Sequence, residues 1–172
     1  NIPQNRDKAR SDLREVHSID TETWQGDIFL IADSDGDYID TFKGGISIDS
    51  VISFLTRPKF ETSWNFCYNL TYDASVILKL LDKSILATYK KKRAFRFKYN
   101  KFNFFFIPKK TLRISKGHHS WVFYDVAQFY DFQNLQNAYK KNIGNLPQNY
   151  LKMKSKRKEF SPNYFRDNRK DV

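Results

Sequence analysis

The chain has 172 residues, a mass of 20.5 kDa, and 30 Lys and Arg against 19 Asp and Glu, for a formal net charge of +11. That length forms one domain with its own core, no apolar run approaches the roughly 20 residues of a membrane span, and a single Cys excludes an internal disulfide or a Cys-built zinc site. An aromatic fraction of 17% argues against disorder, and a basic, aromatic-rich chain with one thiol and no secretory signal suggests a polyanionic partner in a reducing, intracellular compartment.

Residues 1–15 are polar and charged with little periodicity, and read as an N-terminal lead-in. Val16 to Thr23 alternates as a strand, with Val16, Ser18, Asp20 and Glu22 on one face. Ile28 to Ala32 is a short, continuous apolar run of the kind buried on both faces of a sheet. Asp33-Ser34-Asp35-Gly36-Asp37 signals a hairpin turn; it lacks the acid order and the terminal Glu of a calcium loop. Tyr38 to Phe42 follows as a third strand. Ile48, Val51, Ile52 and Leu55 fall at helical spacing, and Pro58 ends that helix. Trp64 to Tyr68 is a fourth strand and Asn69-Leu70-Thr71 its exit loop. Val76, Ile77, Leu80 and Leu81 then predict a helix over 73–81.

From Phe95 the strand pattern returns as an aromatic-rich hairpin. Phe95, Phe97 and Tyr99 alternate with Arg96, Lys98 and Asn100 and belong on the core side. Phe102, Phe104, Phe105 and Phe106 cannot share one strand face; a place in the core is the favoured reading, and any that reach the surface could stack bases. A turn at Lys116 to His119 leads to another strand, Trp121 to Asp125, whose last residue reads as a strand-end or helix-capping acid. Leu135, Ala138 and Tyr139 mark a short helix ending near Gly144. Beyond residue 146 the segment 147–172 is polar and basic. Within it, Lys152 to Lys158 reads as a phosphate-binding arm or a link onward, and Ser161-Pro162 as a helix start. Strands and helices in this order predict an α/β domain over 16–146, a mixed sheet with helices on its faces.

Charge divides along the chain. Residues 1–82 carry 8 Lys and Arg against 14 Asp and Glu, net −6, whereas residues 83–172 carry 22 against 5, net +17. No acidic residue occurs between Lys83 and Tyr124, where Lys90, Lys91, Lys92, Arg93, Arg96 and Lys98 gather as candidate phosphate contacts.

Three carboxylates stand out against this background. Asp20 and Glu22 are two apart on one strand, so both project from the same face. Asp73 sits where the fourth strand hands over to a helix, at the kind of sheet edge where α/β sites form. Acids converging there are hard oxygen ligands for Mg²⁺ or Mn²⁺.

Ser18-Ile19-Asp20-Thr21-Glu22-Thr23 resembles the first motif of the proofreading 3′→5′ exonucleases, an Asp-x-Glu at the end of the first strand. Asn69-Leu70-Thr71-Tyr72-Asp73 resembles the second motif of the exonuclease domain in family-B DNA polymerases, with the protein-primed branch nearest. The order and spacing of the two motifs fit, and Tyr124-Asp125 followed by Asn134 to Ala138 is similar to that fold's next strand and helix. The resemblance implies a ribonuclease H-like fold with the aromatic hairpin inserted, and a two-metal 3′→5′ exonuclease acting on single-stranded DNA beside a polymerase region of the same polypeptide. By that resemblance Asp20 would bridge two divalent ions, Glu22 would ligate one and meet the terminal nucleotide, and Asp73 would hold the second ion. Asn69 would brace the site or contact the strand, and Tyr72 would contact the strand. The family also uses an Asp on a late helix, four residues after a Tyr. Asp171 is near that place, but position 167 is Asp rather than Tyr, so the fourth ligand is either Asp171 or lies beyond Val172. The other readings are a domain of this fold that grips nucleic acid without cutting it, and a stand-alone ribonuclease.

Overall fold

A computed structural model describes residues 14–42, 46–81, 83–84, 95–156 and 161–167. Strands β1 (Val16–Trp24), β2 (Asp27–Asp33) and β3 (Tyr38–Asp40) run in succession, followed by helices α1 (Ile48–Leu55) and α2 (Pro58–Thr62). Strand β4 (Trp64–Cys67) leads into helix α3 (Leu70–Leu78), then come β5 (Phe95–Tyr99), β6 (Phe102–Ile107), β7 (Thr111–Lys116) and β8 (His119–Asp125). A 3₁₀ turn (Ala127–Tyr130) and helices α4 (Leu135–Asn142), α5 (Gln148–Ser155) and α6 (Pro162–Asp167) close the described chain. The chain is α/β, as its pattern predicts. All eight described strands form one mixed sheet in the order β3-β2-β1-β4-β8-β7-β6-β5. Strand β4 runs parallel to both β1 and β8, and the other pairings are antiparallel.

The core follows from the alternation. Along β1, His17, Ile19 and Thr21 are buried while Val16, Ser18 and Asp20 are exposed. Strand β2 is apolar on both sides because two layers cover it. Ile28 and Ile31 join the main cluster with α1, α2 and α3, whereas Phe29 and Leu30 meet Phe165 of α6. Residues three apart can share a face here because the β1–β2 ladder shifts register between Glu22 and Thr23. Glu22 opposes Leu30 and Thr23 opposes Ile28, which leaves Phe29 as the extra residue of a bulge.

Local chemistry sets several boundaries differently from the sequence pattern. Pro58 does not merely end a helix. It occupies the first position of α2, where a missing N–H costs nothing. Helix α3 begins at Leu70, not Asp73, because Asn69 adopts the left-handed conformation (φ 63°) and turns the chain from strand to helix within one residue. The aromatic insertion forms three antiparallel strands, β5, β6 and β7, rather than a hairpin, and β7 continues the ladder onto β8. Phe95, Phe104 and Phe106 are buried there, and Phe97, Tyr99 and Phe102 pack against the same core. The basic stretch after Pro147 holds α5, and Ser161 caps α6 by accepting the Tyr164 N–H at 3.2 Å.

One ion-pair network ties the β2–β3 turn to α2. Lys59 Nζ lies 2.7 Å from Asp33 Oδ2, 2.8 Å from Asp35 Oδ2 and 2.8 Å from Asp37 Oδ2, and Arg57 Nη1 lies 3.0 Å from Asp37. The Asp33 side chain is fully buried, so the ammonium compensates a carboxylate that could not be left alone there. Burial works to lower the Lys59 ammonium, but hydrogen bonds to Asp33, Asp35 and Asp37 outweigh it and hold the group above its usual range. The acid-rich turn is thereby a hairpin fastened by a lysine.

Phe60 is the hub of this end of the core. It is 0% exposed, with ring centroids of His17, Phe123 and Phe54 at 5.5, 5.9 and 6.1 Å. Phe60→Ala should lower unfolding free energy by about 3–5 kcal/mol, read as a fall in the urea midpoint with unchanged slope. A loss below about 1 kcal/mol would show that α2 does not anchor the core.

Candidate active site

Strand β1 outruns its neighbour. It pairs with β4 only through Val16, His17 and Ser18, whereas β4 ends at Cys67 and the chain turns away at Asn69. The edge of β1 from Asp20 onward is therefore left to the first turn of α3. A cleft of about 240 Å³ opens there, lined by Asp20, Thr21, Glu22, Thr23, Tyr68, Asn69, Tyr72 and Asp73. Both acids of the first motif and the Asn, Tyr and Asp of the second thus lie on one cleft, at the carboxyl end of a parallel strand where α/β folds place ligands.

The residues between the acids fasten the helix. Thr21 and Thr23 point to the opposite side of the β1 pleat from Asp20 and Glu22. The Thr21 hydroxyl donates to Asp73 Oδ1 at 2.6 Å, and Thr23 Oγ1 lies 2.6 Å from Tyr72 Oη. Acids therefore alternate along the strand with hydroxyls that bond α3, and all four residues line the cleft. Asp20 is exposed and accepts the Thr21 N–H at 3.0 Å, while Glu22 is half-buried beside the bulge.

Asp73 is the buried carboxylate of the cleft. It is 3% exposed, and burial pushes its carboxyl up to about 7, with the Asp20 charge adding to the rise and the Thr21 hydrogen bond opposing it. Buried Cys67, just below, is held as a neutral thiol by burial first and then by the charges of Asp73, Asp20 and Asp125. That makes it a packing residue rather than a nucleophile.

Asp125 fulfils the capping role read from the sequence. It is 0% exposed, and its Oδ1 accepts the N–H of Ala127 at 2.9 Å and of Asn69 at 3.2 Å. It thereby fixes the turn that aims α3 at β1. Thr21, Thr23 and Tyr68 were not singled out by the sequence. The signal for the threonines was their alternation with the two acids, which sends them to the helix side.

Other candidates lie elsewhere. Arg96 and Lys98 are exposed on β5, the outermost strand, five strand spacings or roughly 24 Å from β1. The Arg96 guanidinium lies over the Phe105 ring at 4.3 Å. Lys90, Lys91, Lys92, Arg93 and Asp171 lie outside the described residues. His17 faces away from the cleft, with Nδ1 3.2 Å from Asp35, and His119 is exposed, with Nδ1 2.8 Å from Glu61.

The donor set suits a hard divalent cation in its chemistry. Three carboxylates share one cleft, and one is raised toward neutrality partly by another's charge, which is the stress that a bound cation relieves. Among the described residues, however, no three His, Cys, Asp or Glu side chains are grouped so that they could hold a metal ion as they stand. Asp20, Glu22 and Asp73 offer an open set of ligands rather than a closed cage.

The raised carboxyl of Asp73 has a consequence for stability. The folded state keeps this proton up to about pH 7, whereas the unfolded chain releases it near 3.8, so the folded state binds more protons between those values. Stability from this group must then fall as pH rises from about 4 to about 7. Asp73→Asn should remove that fall and raise the melting temperature above the parent's at pH 8, in melts run with a chelator. Parallel pH profiles for the two proteins would overturn the assignment.

Compared with protein-family models, curated proteins and solved structures, the chain matches none.

Proposed function

We propose that the chain is a metal-dependent 3′→5′ exonuclease domain of a family-B-like DNA polymerase, hydrolysing the terminal phosphodiester of single-stranded DNA. The observation that carries this reading is that Asp20, Glu22 and Asp73, drawn from two separate motifs, line a single cleft with Asn69 and Tyr72. The sheet adds support. In the run β3-β2-β1-β4-β8, strands β1, β4 and β8 are parallel and β2 opposes β1, with α3 between β4 and β8 in the chain. This suits a ribonuclease H-like fold extended by β5, β6 and β7.

In this reading Asp20 and Glu22 from β1 and Asp73 from α3 would hold two divalent ions, Mg²⁺ or Mn²⁺. Bound there, such ions supply Lewis acidity, which makes water nucleophilic and steadies the leaving oxygen. Water adds to phosphorus, the P–O3′ bond breaks, and the strand keeps a 3′-hydroxyl while a 5′-nucleotide leaves. Thr21 holds Asp73 in one orientation through its hydroxyl. Tyr72, 46% exposed and steadied by Thr23, presents a ring at the rim for the terminal nucleotide. The exposed Asn69 side chain stands beside it. The polymerase region would lie in the same polypeptide, and its editing substrate would be a frayed 3′ end.

A second reading, a nucleic-acid-binding domain that does not cut, is favoured by the absence of a ready three-ligand metal group among the described residues. The two separate in one assay. With 5′-labelled single-stranded DNA and Mg²⁺ or Mn²⁺, the chain should yield a ladder shortening from the 3′ end. Asp20→Ala/Glu22→Ala should slow it more than about a hundredfold, beyond what loss of a supporting residue costs a metal site. Asp171→Ala should behave the same way if that residue is the fourth ligand, and as the parent if it is not. Binding without cleavage under either metal, or an active double variant, would overturn the nuclease.

A further inference from the structure

The backbone beside the cleft is held in conformations that ordinary residues avoid. Among the described residues six non-glycine positions have positive φ: Gln25, Asn69, Asn100, Lys109, Asp131 and Phe132. Gln25 and Asn100 belong to the two-residue turns joining β1 to β2 and β5 to β6, where tight hairpins require such backbone. Of the other four, Asn69 lines the cleft, and the remaining three lie on segments bonded or stacked to residues of the cleft and of α3. Asn69 opens α3. Lys109, in the β6–β7 turn, donates its N–H to Thr71 Oγ1 in the first turn of that helix at 2.8 Å. Asp131 and Phe132 follow the 3₁₀ turn with φ of 54° each, a consecutive pair that costs L residues energy and is seldom kept without a use.

What this backbone displays is aromatic and cationic. Phe132 is 51% exposed, with Lys109 Nζ 5.0 Å from its ring centroid, and Phe129 is 73% exposed. Tyr130, between them, stacks on Tyr68 with centroids 6.2 Å apart and planes 28° apart, and Tyr68 lines the cleft. The Tyr68 hydroxyl donates to the Gln133 carbonyl at 2.7 Å, which fixes the two segments together. Linked contacts therefore lead from the cleft at Tyr68 to Tyr130, and two residues along the chain to Phe132 with Lys109 over its ring; we call this set of rings the ledge. None of these rings is needed to fill the core, and water covers much of the two phenylalanines.

We propose that this ledge is the track for a single strand of nucleic acid entering the cleft, with a base stacked on Phe132 and a phosphate at Lys109. The proposal rests on the reading of the cleft as a phosphodiester site and adds the path of the strand and the residues that hold it. Exposed rings next to lysine suit unpaired bases, whose π-faces are open, and not duplex, whose faces are covered. The cation also offsets the repulsion that a phosphate chain meets near Asp20 and Glu22. A purely apolar partner has no use for the ammonium held over the ring.

The test uses binding without cleavage. In EDTA, fluorescein-labelled dT₁₂ and U₁₂ are titrated with the full chain and followed by anisotropy. Phe132→Ala should weaken binding roughly tenfold, within the range for loss of one base–aromatic stack, and Phe132→Trp should restore it. Lys109→Ala should weaken binding and lower the salt dependence by about one phosphate contact. Tighter binding of one oligomer assigns the strand as DNA or RNA and supports the ledge in either case. No binding by the parent, equal binding by Phe132→Ala, or equal loss in Phe132→Trp would overturn it. Phe132-dependent binding without any cleavage in Mg²⁺ or Mn²⁺ would uphold the ledge and sink the nuclease reading; cleavage indifferent to Phe132 would do the reverse.

Discussion

A single turn, at Asn69, carries the geometry of the cleft. The chain leaves the parallel strand β4 at Cys67 and must reverse into α3 within two residues. Asn tolerates the left-handed conformation better than most residues, and a buried carboxylate from the next strand fixes it there. Asp125 opposes Cys67 in the β4–β8 ladder, and its Oδ1 takes the Asn69 N–H while the Val126 N–H bonds the Cys67 carbonyl at 3.0 Å. Its other oxygen has no hydrogen-bond partner among the described residues, so Asp125 is held at a cost. That cost is offset by what it organises: the end of β4, the start of α3 and the turn after β8 all meet on one side chain. Shifting any of them would separate Asp73 from Thr21.

The second constraint is the parity of β1. Two acids and two threonines alternate over four residues, so the same strand can hold charge in a cleft and fasten a helix behind it. A slip of one residue would bury Asp20 against α3 and expose Ile19. The bulge at Phe29 protects this arrangement. It lets Ile28 and Ile31 both reach the core while Glu22 keeps its side, and it twists the strand where the cleft opens.

How legible this was differs residue by residue. Asp20 and Glu22 were readable because strand period fixes their common face, and Asp73 because it follows an apolar strand at a handover to a helix. The start of α3 was not, since a left-handed Asn leaves no periodic trace and its effect depends on Asp125, far along the chain. The Lys59 network was hidden for the same reason: the acid-rich turn shows in sequence, but its counter-ion arrives from a helix beyond β3. Helix α5 was missed because a basic segment with few apolar residues carries little amphipathic signal. The exposed aromatics were sought in the Phe-rich insertion, where Phe95, Phe104 and Phe106 are buried and Phe97, Tyr99, Phe102 and Phe105 are half-buried. Phe129 and Phe132 instead follow a strand, and only the backbone conformation of the turn turns Phe132 outward.

The division of charge along the chain also takes on a different meaning in three dimensions. Three of the acids in the negative half, Asp33, Asp35 and Asp37, are already matched by Lys59 and Arg57, so they add little to the field of the cleft. The negative charge that matters is local to the cleft, where burial raises the Asp73 carboxyl to about 7 and the Asp20 charge adds to the rise. A polyanion approaching that cleft is repelled by the same carboxylates that would bind the cations for its hydrolysis. Positive charge elsewhere must therefore bring it in. The cations of β5 stand beyond the screening length of physiological salt, so they can only steer a polyanion weakly. Lys109 is different: it belongs to the basic half, yet its backbone is bonded to the first turn of α3. The fold brings one cation of the positive half to the rim of the acidic site, where a strand could be held by phosphate and base while its end meets the carboxylates.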